Sequence, residues 1–250
     1  MNLDVQKVSA IGAKYQTYLL TPSPLKDSFG EVMHGKDMLD YFAPDYLKKH
    51  KLINRTAEGR GTVYFFNFGD IEVVLRHYYR GGLIAKLVKD KFVFAGIQNT
   101  RAFRELAILE HLHKKGVNVP RPIAAKVRVL GLSYQCDIMT ELIADAKELH
   151  ECLLDKGVTE DIWHKVGEEI KKLHSAQACH YDLNVKNVLI TKRNEVVLLD
   201  FDSCELKQGE SWKSKNIDRF KRSLRKQAAK YENYAFSEDK WAILLNAYSD

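Results

Sequence analysis

His180-Tyr181-Asp182-Leu183-Asn184-Val185-Lys186-Asn187, followed by Leu199-Asp200-Phe201-Asp202, is the stretch on which the reading of this chain turns. The pattern H-x-D-L-x-x-x-N joins an aspartate able to accept a hydroxyl proton to an asparagine, five residues on, able to ligate a divalent metal. Asp200 follows Asp182 by 18 residues, room for two short strands and a turn, so both carboxylates can face one metal–nucleotide complex. An Asp and an Asn after a helix can also simply build a turn; the complete pattern, with Asp-Phe at that distance, weighs against it. Asp182 is the candidate catalytic base, and Asn187 and Asp200 are candidate oxygen ligands for Mg2+. His180 is read as a brace for the turn. Lys186 either steadies a phosphate or an anionic acceptor, or is a solvated lysine.

Upstream, Gly59-Arg60-Gly61 precedes an aromatic, β-branched run from Thr62 to Phe68, a Gly69-Asp70 turn and a second strand-like run from Ile71 to Tyr78. This is a glycine loop on an antiparallel hairpin. Gly59 and Gly61 are candidates to cover nucleotide phosphates with bare backbone, although most Gly-x-Gly turns only permit positive φ. In protein kinases the following strand ends in V-A-I-K, whose lysine grips phosphates and pairs with a helix glutamate. Here the run is Val73-Val74-Leu75-Arg76, with Glu105 as the expected partner. Arginine keeps the charge but adds a planar fork, so the swap is not neutral. The plain alternative is two unrelated surface charges. Glu141, at the exit of a buried strand from Tyr134 to Met139, completes the nucleotide-binding candidates.

The remaining pattern predicts helices. Met38, Leu39, Phe42, Tyr46 and Leu47 suit one short amphipathic helix, and Arg101 to Lys115 a longer one stopped by Gly116. Thr159 opens a helix with Ile162, Val166, Ile170 and Leu173 inward, which delivers the chain to His180. Val188–Thr191 and Val196–Leu199 form a hairpin ending at Asp200. Ile217, Phe220, Leu224, Ala228 and Tyr231 line one face of a basic helix, and Trp241, Leu244, Leu245 and Tyr248 line a last one. His111 and His113, two residues apart on a helix, point to different faces and are not read as metal ligands.

The 250 residues, 45% of them hydrophobic, suffice for one large domain or two lobes. No stretch reads as a membrane span or a secretory leader, so a cytoplasmic protein is expected. Cys136, Cys152, Cys179 and Cys204 are scattered and indicate neither a disulfide framework nor zinc. The net charge of +6 is uneven: Arg76–Lys91 carries +4 and Lys213–Lys230 carries +7. Two localised basic patches suggest an anionic partner.

Gly59-Arg-Gly61-Thr62, Leu75-Arg-His-Tyr-Tyr-Arg80-Gly-Gly-Leu83, Lys86-Leu-Val-Lys89-Asp90, Val119-Pro-Arg-Pro-Ile-Ala124, the catalytic loop and Leu198-Leu-Asp-Phe-Asp-Ser203 together resemble the 3-deoxy-D-manno-octulosonic acid (Kdo) kinases of lipopolysaccharide assembly. The Arg-His-Tyr-Tyr-Arg-Gly-Gly run is the most specific element. The resemblance implies an α+β, protein-kinase-like bilobal fold: an N-terminal extension (1–54) packed on a small antiparallel-sheet lobe (55–140), and a reduced helical lobe (141–250). It implies ATP and Mg2+ as cofactors, phosphorylation of a Kdo hydroxyl, usually the 4-hydroxyl, on Kdo-lipid A, and peripheral contact with the cytoplasmic face of the inner membrane. No nucleic acid and no obligate protein partner are expected. Arg80, Lys86, Lys89 and Lys186 are the candidate substrate contacts, and the +7 helix a candidate surface for the anionic glycolipid.

Departures from the protein-kinase pattern agree with a small or lipid-linked acceptor. Tyr181 replaces the arginine of H-R-D, Asp202 replaces the glycine of D-F-G, and 48 residues follow that motif without an A-P-E sequence. The alternatives are a soluble small-molecule or sugar kinase of the aminoglycoside-phosphotransferase type, and a catalytically silent protein that binds anionic surfaces.

Overall fold

The computed structural model describes residues 3–8, 14–22, 35–59, 61–81 and 89–249. Its contacts divide the chain into two units, Met1–Glu110 with Arg121–Leu142, and His111–Pro120 with Ile143–Asp250.

The first unit is built on an antiparallel sheet, in the order β1 (Leu3–Lys7), β2 (Gln16–Pro22), β7 (Pro122–Leu130), β8 (Ser133–Glu141), β5 (Ile71–His77), β4 (Thr62–Phe68) and β3 (Ile53–Glu58), with the short β6 (Phe92–Val93) on β8. The hairpin expected across Gly69-Asp70 is β4–β5, with Phe68 opposite Ile71 and Gly69 at φ +60°, where a side chain would be strained. Residues alternate across the strands, so Phe66, Phe68, Val73, Leu75, Ala124 and Met139 form one apolar face. Met38, Phe42 and Leu47 cover it. Met38 and Leu47 do so from two helices, α1 (Gly35–Asp40) and α2 (Pro44–Lys49), and Phe42 from the turn between them, where a single helix was expected. Pro44 is the reason. It lacks the N–H a continuous helix needs and suits a first turn, so the chain restarts there. The described residues among 1–54 thus supply β1, β2, the first two residues of β3, and the helices over the core.

Helix α3 (Arg101–Lys114) carries residues of both units. In the second unit, β9 (Ala146–Glu148) leads into α4 (Leu149–Leu154) and α5 (Glu160–Ser175); β10 (Ala178–His180) pairs with β13 (Cys204–Leu206) in a two-stranded ribbon, and β11 (Val188–Thr191) and β12 (Val196–Leu198) join β9 in a sheet of order β12-β11-β9. The last helices are α6 (Lys213–Ala228) and α7 (Glu238–Ser249). The inward residues expected on α5 are all buried. Gly167 of α5 lies where a β-carbon would meet the Leu244 carbonyl and come within 3.0 Å of Ala247, so α5 and α7 cross at close range. Tyr231, expected on the apolar stripe of the basic helix, lies beyond its end and is exposed.

Candidate active site

In the second unit, β10 pairs with β13 to bring the two halves of the opening motif together, His180 standing opposite Cys204. His180 is fully buried. Its Nε2 donates to the Leu199 carbonyl at 2.8 Å, and its Nδ1 accepts the Asp182 N–H at 3.2 Å, which defines one neutral tautomer. Burial lowers its pKa in keeping with that role. His180 ties the residue before Asp200 to the backbone of Asp182.

Asn184 caps the short 3-10 turn Val185–Asn187, its Oδ1 accepting from Lys186 N at 2.9 Å. Asn184 and Asn187 both donate through Nδ2 to the Asp182 carbonyl, at 2.9 Å each. The second bond occupies the Asn187 amide nitrogen, so Oδ1 is the side-chain atom that could bind a divalent cation. Leu199 N donates to the Asn187 carbonyl at 2.9 Å, which sets Asp200 beside Asn187. Asp200 itself is exposed and left-handed, at φ 62° and ψ 69°, a region aspartate tolerates better than most residues. Asn187 and Asp200 therefore form a pair of hard oxygen donors that fits Mg2+. Lys186 is exposed on the same turn.

Helix α6 holds this loop from one side through residues the spacing did not single out. Asn216 Nδ2 donates to the His180 carbonyl at 2.8 Å, and Ser223 Oγ accepts the Val185 N–H at 3.0 Å. Arg219 Nη2 lies 2.7 Å from Asp182 Oδ1, with both side chains nearly half exposed (44% and 46%). These positions recur at helical spacing beside the apolar stripe Ile217, Phe220 and Leu224, a polar border that periodicity could have flagged. Asn216 also accepts from His174 Nε2 at 3.0 Å, and His174 Nδ1 meets the Tyr248 hydroxyl at 2.7 Å. Burial lowers the His174 pKa to about 4, so this relay is neutral near pH 7. On the outer face of α6, Glu238 takes Lys221 at 2.7 Å and Arg225 at 2.8 Å, neutralising part of the basic patch.

In the first unit, Arg76 Nη2 reaches Glu105 Oε1 at 2.6 Å and Oε2 at 2.8 Å, with Glu105 only 4% exposed. Tyr78 donates its hydroxyl to Glu105 Oε2 at 2.6 Å, and burial beside that carboxylate holds the phenol well above its usual pKa. Tyr78 is two residues from Arg76 on an extended segment, hence on the same side, which is the signal that could have found it. Glu141 closes β8, its N–H bonded to the Arg121 carbonyl at 2.9 Å. Neither Gly59 nor Gly61 has a positive φ. At Gly61 a β-carbon would overlap the Tyr79 ring, which would have to move to admit a side chain. Arg80 donates through Nε to the Lys91 carbonyl at 2.6 Å and stacks 5.0 Å from Phe92, while Lys89 is exposed. Lys86 lies outside the described residues.

The model of the lipopolysaccharide kinase (Kdo/WaaP) family matches residues 45–248. The chain belongs to that family. Curated relatives agree with the assignment: the 3-deoxy-D-manno-octulosonic acid kinase of Actinobacillus succinogenes is 39% identical over 86% of this chain and 92% of its own length. Those of Vibrio cholerae and Photobacterium profundum are 39% and 42% identical, over 81% and 77% of the chain and 86% and 81% of their own lengths. This family member is a kinase with an α+β, kinase-like fold. Among the described residues, no helix is long and apolar enough to cross a membrane.

Proposed function

We propose that this kinase transfers a phosphoryl group from ATP to a hydroxyl of Kdo, the 4-hydroxyl, on Kdo-lipid A during lipopolysaccharide assembly, at the cytoplasmic face of the inner membrane. The observation that carries the chemistry is the loop in which Asn187 clamps Asp182 and stands beside Asp200. The acceptor follows from the relatives' names. In this reading Asp182 orients the acceptor hydroxyl and takes its proton as the oxygen–phosphorus bond forms. Asn187 and Asp200 would hold the divalent ion, and Arg76, kept in place by Glu105 and Tyr78, would bind nucleotide phosphate. Gly59, Gly61 and Glu141 would contribute backbone and strand-exit contacts to the nucleotide, and Arg80, Lys86, Lys89 and Lys186 would contact the anionic acceptor. Bound Mg-ATP supplies the transferable group and neutralises its charge; the chain supplies position and the proton acceptor.

The test is incubation with Mg-ATP and Kdo-lipid A, followed by mass spectrometry of the acceptor. A gain of one phosphate, absent with Asp182→Ala, is expected. Transfer only to a soluble sugar or peptide would sink the glycolipid reading.

A further inference from the structure

Arg219 is the one partner given to the Asp182 carboxylate among the described residues, and it uses Oδ1 alone. Oδ2 has no hydrogen-bond partner among the described residues. Arg219 in turn spends one of its five N–H donors on Asp182, and the others have no partner among the described residues. A planar cationic fork therefore stands beside the proton-accepting oxygen, half exposed, with its remaining donors open. Such a fork suits a carboxylate.

We propose that Arg219 is a specificity-determining residue that binds the acceptor's own carboxylate while Asp182 holds its hydroxyl. The inference rests on the reading of Kdo as acceptor. A sugar acid carries both groups on one ring, so one molecule can engage both halves of the Asp182–Arg219 pair. A neutral sugar leaves the fork's open donors unused. The acceptor is favoured over the nucleotide because Arg219 is bonded to the very carboxylate that takes the acceptor's proton. The helix bearing it is independently fixed to the loop: Asn216 and Ser223 anchor α6 at the His180 carbonyl and the Val185 N–H, so Arg219 is held in register with Asp182 without depending on their ion pair. Loss of the Arg219 charge should therefore leave the loop standing.

The test crosses two changes: Arg219→Gln in the enzyme, and conversion of the Kdo carboxylate to its primary amide in the acceptor. Initial rates are measured with Mg-ATP for wild type, Arg219→Gln and Arg219→Lys, with Arg193→Gln as a charge-removal control and circular dichroism to verify folding. Each single change should lower kcat/KM by roughly 10- to 100-fold, the scale of a lost charged hydrogen bond. The two together should cost no more than either alone, the acceptor KM should rise while the ATP KM holds, and Arg219→Lys should recover part of the loss. Multiplicative losses, or a raised ATP KM with carboxylate discrimination intact, would overturn the inference and leave Kdo as the acceptor. No transfer by wild type to either acceptor would remove the Kdo reading and this inference with it.

Discussion

The two units each hold an arginine–carboxylate pair, and the pairs are built for different purposes. Arg76–Glu105 joins a strand to a helix around a carboxylate that is 4% exposed and further held by Tyr78. Arg219–Asp182 joins a helix to a loop, with both partners nearly half exposed and a carboxylate oxygen left over. A buried carboxylate with three short hydrogen bonds is expensive to disturb, because removing it leaves the partners unsatisfied. An exposed pair is worth little to stability and can exchange partners with a substrate. The first pair fixes geometry; the second is available for chemistry.

The largest effect that would break this contrast is on turnover. Asp182→Asn should lower kcat by about a thousandfold or more while costing under about 1 kcal/mol in stability. Glu105→Ala should cost about 3 kcal/mol in chemical denaturation, because the Tyr78 hydroxyl and Arg76 lose their shared acceptor. Equal stability losses in the two variants would end the distinction.

A smaller effect sharpens it through two histidines with opposite signs. Burial lowers the His174 pKa to about 4 from 6.5, so the folded state binds fewer protons than the unfolded one in between, and stability is lost as pH falls through that window. The advantage of wild type over His174→Gln should shrink by about 2 kcal/mol between pH 7 and pH 5. Burial pulls the His77 pKa down too, but its bonds and charge contacts to Asp137 at 2.6 Å and Asp90 at 3.1 Å outweigh it and raise the net value. Its contribution is therefore full below pH 6.5 and fades as pH rises through the higher folded value. His77→Gln should be the more damaging at pH 6 than at pH 8, the reverse of His174→Gln; urea unfolding at the two pH values checks both. The smallest effect is at the surface. Arg225→Ala, which removes an exposed bond to Glu238, should leave the urea midpoint nearly unchanged.

Much of this was legible in the chain because it is local. The β4–β5 and β11–β12 hairpins, the inward face of α5 and the 180–202 motif announce themselves by alternation, by helical spacing and by turn residues within a few positions of one another. Where reading failed, the deciding contact was remote or a single residue overrode the period. Pro44 split an apparent helix that five apolar positions supported. Gly61 is crowded by the Tyr79 ring and has no positive φ, a contact that its own sequence neighbourhood does not reveal. The spacing of the basic helix likewise did not reveal that Lys221 and Arg225 pair with Glu238, or that its inner border brings Asn216, Arg219 and Ser223 to the His180–Asn187 loop.

The sequence by itself determined the shape of the loop that carries Asp182 and Asn187, since hydrogen bonds made by His180, Asn184 and Asn187 within a few residues of Asp182 hold it from within. Only the tertiary structure decided which partner each charge takes. Arg219 stands 37 residues from Asp182, and Arg76 stands 29 from Glu105. At such separations a pairing is set by how helices and strands pack, and no spacing rule encodes it.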